Sequence, residues 1–75
     1  MILDDILGDL ETEGFVDVGW SNYPNSIVVE SYYGNSLSED DLDLIYEVAS
    51  SWDSVIVERV DRERAEVILP HMRRR

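Results

Sequence analysis

An α+β fold of element order αββαββ is the prediction, and three observations carry it. Two segments space their apolar residues as a helix with one buried face does, four segments are β-branched or alternate with period two, and turn or capping residues separate them. With only 75 residues there is too little chain for a helical layer on each side of a sheet, so both helices are expected on one face of a four-stranded antiparallel sheet, a two-layer sandwich.

The first helix is read from Ile2, Leu3, Ile6, Leu7 and Leu10, and Gly14 ends it because glycine accepts the left-handed conformation that follows a helix. From Phe15 the rhythm turns to period two, with Val16, Val18 and Trp20 on one side of a strand and Asp17 and Gly19 on the other. On this pattern Trp20 is a core residue. Asn22 to Ser26 is the turn, and Ile27 to Tyr33 resumes extended structure until Gly34-Asn35, so the two strands form a hairpin. Ser38 is the N-cap of the second helix, Asp41 its reciprocal capping partner, and Leu37 with Leu42 a hydrophobic staple. Leu42, Ile45, Tyr46 and Ala49 continue that helix, with Trp52 at its exit. Val55–Val60 and Ala65–Leu69 then flank the charged turn Asp61 to Arg64, and Pro70 closes the last strand. The layout is comparable with a circularly permuted ferredoxin-like fold, and a shift of 36 residues superposes the element order of the two halves.

Residues 1–70 are expected to form one domain and His71 to Arg75 a basic, mobile tail. The strands carry apolar residues on both parities: Val28, Tyr32, Ile56, Val60 and Ile68 oppose Val29, Val55, Val57 and Val67, so the outer sheet face is apolar enough to meet a partner or a second copy of the chain. No cysteine is present for a disulfide or thiolate metal site, and no apolar run reaches the roughly 18 residues of a membrane span. The start lacks the basic character of a signal peptide, which leads to a cytoplasmic expectation.

Chemistry finds little to work with. The single histidine, His71, lies in the tail, there is neither cysteine nor lysine, and neither a catalytic residue nor a cofactor is expected. Asp40, Asp41, Asp43 and Glu47 are interrupted by apolar residues at helical spacing, which makes a solvated helix face and not the alternating oxygen ligands of a calcium loop. No metal site is expected there.

Ile6-Leu7-Gly8-Asp9-Leu10-Glu11-Thr12-Glu13-Gly14-Phe15 resembles the LAGLIDADG motif of homing endonucleases, whose core has the same αββαββ order. The resemblance implies that Glu13 matches the metal-binding acid, Gly8 the small residue of a helix contact and Gly14 the terminal glycine. The chain departs from that pattern at Asp9, where the family has an apolar residue, and in lacking a basic sheet to grip DNA. An amphipathic helix with acids and a glycine cap yields the same ten residues.

Charge is the main functional clue. Seventeen Asp and Glu against six Arg give −11, and residues 1–72 alone carry −14. Such a chain is too acidic to hold nucleic acid through its phosphates. Asp5, Asp9 and Glu13 lie four apart on the first helix, and Asp40, Asp43 and Glu47 three and four apart on the second, so each helix carries a like-charge stripe. Asp9, Glu13 and Glu47 are far from the helix N-termini where the backbone dipole favours acids, which suggests a purpose other than stability.

In size, charge and lack of catalytic residues the chain is similar to phage-encoded inhibitors of DNA-binding enzymes, including anti-CRISPR proteins and uracil-DNA glycosylase inhibitors. That similarity implies a DNA mimic, a non-enzymatic protein that blocks the basic surface of a nucleic-acid-binding protein. Asp5, Asp9, Glu13, Asp40, Asp43 and Glu47 are the residues expected to meet it, with Tyr32 and Tyr33, and also Tyr23, as aromatic anchors. The alternative is a small interaction or homodimerisation module, whose lack of lysine and excess of acids also fit a halophilic protein.

Overall fold

The computed structural model describes residues 2–19 and 25–70, in the predicted order of elements: α1 (Ile2–Thr12), β1 (Phe15–Asp17), β2 (Ser26–Ser31), α2 (Glu39–Ser50), β3 (Ile56–Arg59) and β4 (Arg64–Ile68). The expectations for Trp20, for Tyr23 with most of its turn, and for the tail from His71 lie outside the described residues. No described helix is long and apolar enough to cross a membrane.

All three strand pairings are antiparallel, and the order β1-β2-β4-β3 leaves β1 and β3 as edges. Ile27 and Val29 of β2 stand opposite Val67 and Ala65 of β4, and these four are buried with Ile6 and Leu10 of α1 and Ile45 and Ala49 of α2. Both helices therefore cover one sheet face. The register sets Val28, Ile56 and Ile68 on the other face, as their parity predicts.

α1 ends as its sequence requires. Gly14 has φ +96° and its N–H donates to Glu11 O at 3.1 Å, which closes the helix and turns the chain into β1. Gly8, by contrast, is exposed, and a Cβ there would meet nothing within 4 Å. Within this chain, therefore, α2 does not pack closely against α1 at Gly8.

α2 carries both halves of its predicted capping box. Asp41 N–H donates to Ser38 Oγ at 3.1 Å, and Ser38 N–H donates to Asp41 Oδ2 at 2.9 Å. Leu37 is buried and Leu42 packs against the same core. The loop ahead of the helix is held from the far side of the sheet: Leu37 N–H donates to Arg62 O, and Arg59 Nη2 donates to Leu37 O, both at 2.8 Å. Arg59 also reaches Glu39 Oε2 at 3.4 Å. A Ser38→Ala variant is expected to lose about 1 kcal/mol, which for a domain of this size lowers the melting temperature by roughly 4–8 °C. Thermal unfolding followed by circular dichroism reads this directly, and an unchanged midpoint contradicts the capping assignment.

Four expectations need correction. In β1 the inward residue is Phe15, buried in the core, while Val16 is half-buried and Val18 exposed, so the strand faces opposite to the alternation read from Val16, Val18 and Trp20. Phe15 offers more apolar surface than either valine, and the larger group takes the core. The strand is also short, because Gly19 adopts φ +106° and donates its N–H to Asp17 Oδ1 at 2.8 Å.

β2 stops at Ser31. Ser31 Oγ accepts from Tyr33 N–H at 3.2 Å and Ser31 O from Gly34 N–H at 3.0 Å, so Tyr32 and Tyr33 form a turn and are not strand residues of the outer sheet face. In α2 the buried stripe is Ile45 and Ala49, flanked by Leu42, Leu44 and Val48, which rotates Tyr46 out to 52% exposure.

Candidate functional site

The helix layer is where the predicted contact acids stand, and Asp5, Asp9, Glu13, Asp40, Asp43 and Glu47 are all exposed. What differs among them is how the rest of the chain accounts for their charge. Asp5 and Asp40 lie in the first turns of α1 and α2, where the positive end of the helix dipole offsets each. Asp9 accepts a hydrogen bond from Trp52 Nε1 at 2.8 Å, which ties α1 to the exit of α2. Its charge therefore has a structural use, contrary to the inference from position alone.

Glu13, Asp43 and Glu47 have no such account. Among the described residues none of the three makes a side-chain hydrogen bond or ion pair, and the ion pairs that do form engage Glu39, Glu30 and Asp61 instead. Glu11, which the stripe pattern passed over, joins them as an exposed acid near the end of α1.

Packing brings the C-terminal ends of the helices together. Asp9, Thr12 and Glu13 of the α1 end line an open cleft of about 210 Å³ with Val48 and Ser51 of the α2 end. Helix C-termini carry the negative end of the backbone dipole, on the order of half a charge each, and basic residues are the usual stabilising choice there. Neither helix has one in its last turn. Thr12 Oγ1 donates to Gly8 O at 3.1 Å and Ser51 Oγ to Val48 O at 2.8 Å, so two cleft hydroxyls have their protons turned back onto the helices. What the cleft offers outward is chiefly acceptor.

Along α2 the unpaired acids continue from this cleft. Glu47 lies four residues before Ser51 and Asp43 four before Glu47, one helical face with Tyr46 half-exposed between the two acids. Each four-residue step covers roughly 6 Å of helix axis.

Tyr32 and Tyr33 border the other side of the α1 terminus. Tyr32 N–H donates to Gly14 O at 2.8 Å, which seats the pair just beyond the helix end. The two rings meet edge to face with centroids 5.2 Å apart. They are 69% and 77% exposed, so both point to solvent and neither enters the core.

The structure thus draws Asp9, Glu13 and the α2 end into one electronegative cleft and sets Glu47 and Asp43 along its continuation, while the tyrosine pair stands beyond the α1 end and outside the cleft lining. Asp5 and Asp40 stand away from it at the helix starts. Sequence reasoning missed Glu11, Tyr46 and the clasp made by Trp52. Only Tyr46 left a signal, its place one residue off the stripe of Leu42, Ile45 and Ala49. Compared with protein-family models, curated proteins and solved structures, the chain has no significant match to any.

Proposed function

We propose that the chain is a non-enzymatic binding protein that docks its acidic helix layer on the basic, nucleic-acid-binding surface of another protein and blocks it, as a DNA mimic. The observation that carries this reading is the convergence of two helix C-termini around Asp9 and the unpaired Glu13, with no basic residue in either last turn. Stability alone selects against that arrangement, since like charges four apart on a helix and acids at its C-terminal end both cost free energy, roughly 0.2–1 kcal/mol apiece. A cationic partner reverses the sign of each term.

Contact begins at long range. A surface of one sign raises the encounter rate with an oppositely charged partner and makes it fall with salt. Tyr46, Tyr32 and Tyr33 then supply rigid, half-apolar contact of the kind that dominates interface energies, while Glu13, Asp43 and Glu47 pair with arginine or lysine. Blocking is by occupation. Lysine and arginine neutralised by carboxylates have no free charge to offer phosphate.

The test is capture of partners on the immobilised chain, followed by challenge with duplex DNA. The expected result is a captured protein that DNA displaces and whose own DNA binding the purified chain inhibits at near-stoichiometric amounts. A captured protein indifferent to DNA, or one that binds DNA equally well with the chain attached, rejects mimicry.

A further inference from the structure

The hydrogen-bond phase of the sheet leaves an open edge on β3. Val60 N–H donates to Arg64 O at 2.9 Å, in the same register that sets Ile56 opposite Ile68 and Glu58 opposite Glu66. Antiparallel ladders exchange bonds at every second pair. Ile56, Glu58 and Val60 therefore direct their backbone groups at β4, and Val57 and Arg59 turn theirs outward. Beyond the sheet ladder, no backbone hydrogen bond between described residues involves Val57 or Arg59.

This edge has few of the features that discourage strand addition. It contains no proline, the register runs through all four pairs without a bulge, and the Arg59 side chain is turned away to Leu37 O. On the outer face its side chains read apolar, acidic, apolar: Ile56 is 45% and Val60 50% exposed, with Glu58 between them. Glu58 makes no side-chain hydrogen bond or ion pair among the described residues and stands directly across from Glu66, whose carboxylate accepts from Ser26 Oγ at 2.9 Å. Like charges directly opposite on neighbouring strands are destabilising. Glu66 has its own partner in Ser26, so it is on the free side of Glu58 that a cation offsets the remaining charge.

We propose that β3 takes up an added strand from a partner protein, an extended segment reading apolar-x-basic-x-apolar. Its basic residue stands opposite Glu58, its apolar residues meet Ile56 and Val60, and its backbone bonds the N–H and C=O groups of Val57 and Arg59. A second copy of this chain suits the edge less well. The antiparallel self-pairing that sets Ile56 against Val60 also sets Glu58 against Glu58, and it joins two chains of −11 each. The contact uses a surface separate from the helix layer, so it stands or falls independently of the DNA-mimic reading.

The experiment titrates the ¹⁵N-labelled chain with the capped peptide Thr-Val-Thr-Arg-Thr-Val-Thr and with its counterpart carrying Glu in place of Arg, up to millimolar concentrations. The Arg peptide is expected to shift the Val57 and Arg59 amides and slow their hydrogen exchange at least about fivefold. The Glu peptide is expected to bind at least about tenfold more weakly, and a Glu58→Arg variant, its fold verified by its spectrum, to invert that preference. Three outcomes of the peptide titrations overturn the proposal: no protection at the two amides, shifts confined to α1 and α2, or equal response to both peptides. Protection of those amides that rises with protein concentration in the absence of peptide overturns it in favour of a second copy.

Discussion

Replacing Glu13, Asp43 and Glu47 together with lysine is expected to weaken partner binding at least about 100-fold while leaving the fold as stable as before or more so. The two effects have separate causes. Close charge pairs across an interface couple by about 1.5–7 kcal/mol where measured, so reversing three of them exceeds the roughly 2.7 kcal/mol that a hundredfold change represents. In the free chain the substitutions at Glu13 and Glu47 place cations near the C-terminal ends of α1 and α2, where the helix dipole favours them, while the repulsion between positions 43 and 47 is exchanged for an equivalent one between two lysines. Calorimetric titration and a thermal melt on the same sample separate the two. Binding lost with stability kept is the signature of a surface shaped for a partner; binding kept moves the interface off the helix layer.

Ile45→Ala is expected to be the most damaging single substitution in α2, and Tyr46→Ala, its neighbour, among the mildest. Ile45 is completely buried between the helix layer and the sheet, and truncating such a residue costs about 2–5 kcal/mol from lost transfer energy and the cavity left behind. For a domain with a total stability on the order of 5–15 kcal/mol, the melting temperature falls by roughly 10–30 °C. Tyr46 has solvent on its outer side, so its loss is expected to cost under about 1 kcal/mol of stability, and to appear instead as weaker partner binding. Denaturant unfolding of the two variants checks the orientation of α2, and comparable losses would mean that the helix is rotated from the position described.

The acidic stripe was legible as a pattern but not as a site. Spacing of three and four placed Asp5, Asp9 and Glu13 on one helix and Asp40, Asp43 and Glu47 on the other, and the structure finds all six exposed. Spacing is local, however, and whether a carboxylate has a partner is decided by residues distant in the chain. Trp52 is 43 residues from Asp9, and their hydrogen bond turns a surplus charge into a tie between helices. The convergence of the two helix ends has the same origin, since it depends on how α1 and α2 cross the sheet.

Aromatic residues show the limits most clearly. Tyr32 and Tyr33 follow a β-branched run and read as its continuation, yet the hydroxyl of Ser31 and the positive φ of Gly34, +78°, fold them into a turn. Tyr46 lies within one residue of the buried stripe, and a wheel of 3.6 residues per turn does not settle which side of that boundary a helix presents. The sheet underneath does. Phe15 and Val16 are a similar case, two apolar neighbours of which a strand can bury only one.

The sequence by itself determined the order of the six elements, the capping of α2 by Ser38 and Asp41, the stop at Gly14 and which residues of β2, β3 and β4 share a face. Each of these rests on interactions between residues a few positions apart, or on a period that one residue after another enforces. Tertiary structure alone decided the sheet order with β3 at an open edge, the rotation of α2 that exposes Tyr46, and the division of the acids into those that the chain itself employs and those it leaves unpaired. Those features depend on which distant surfaces meet, and burial and charge pairing across such contacts are settled only when the whole core closes.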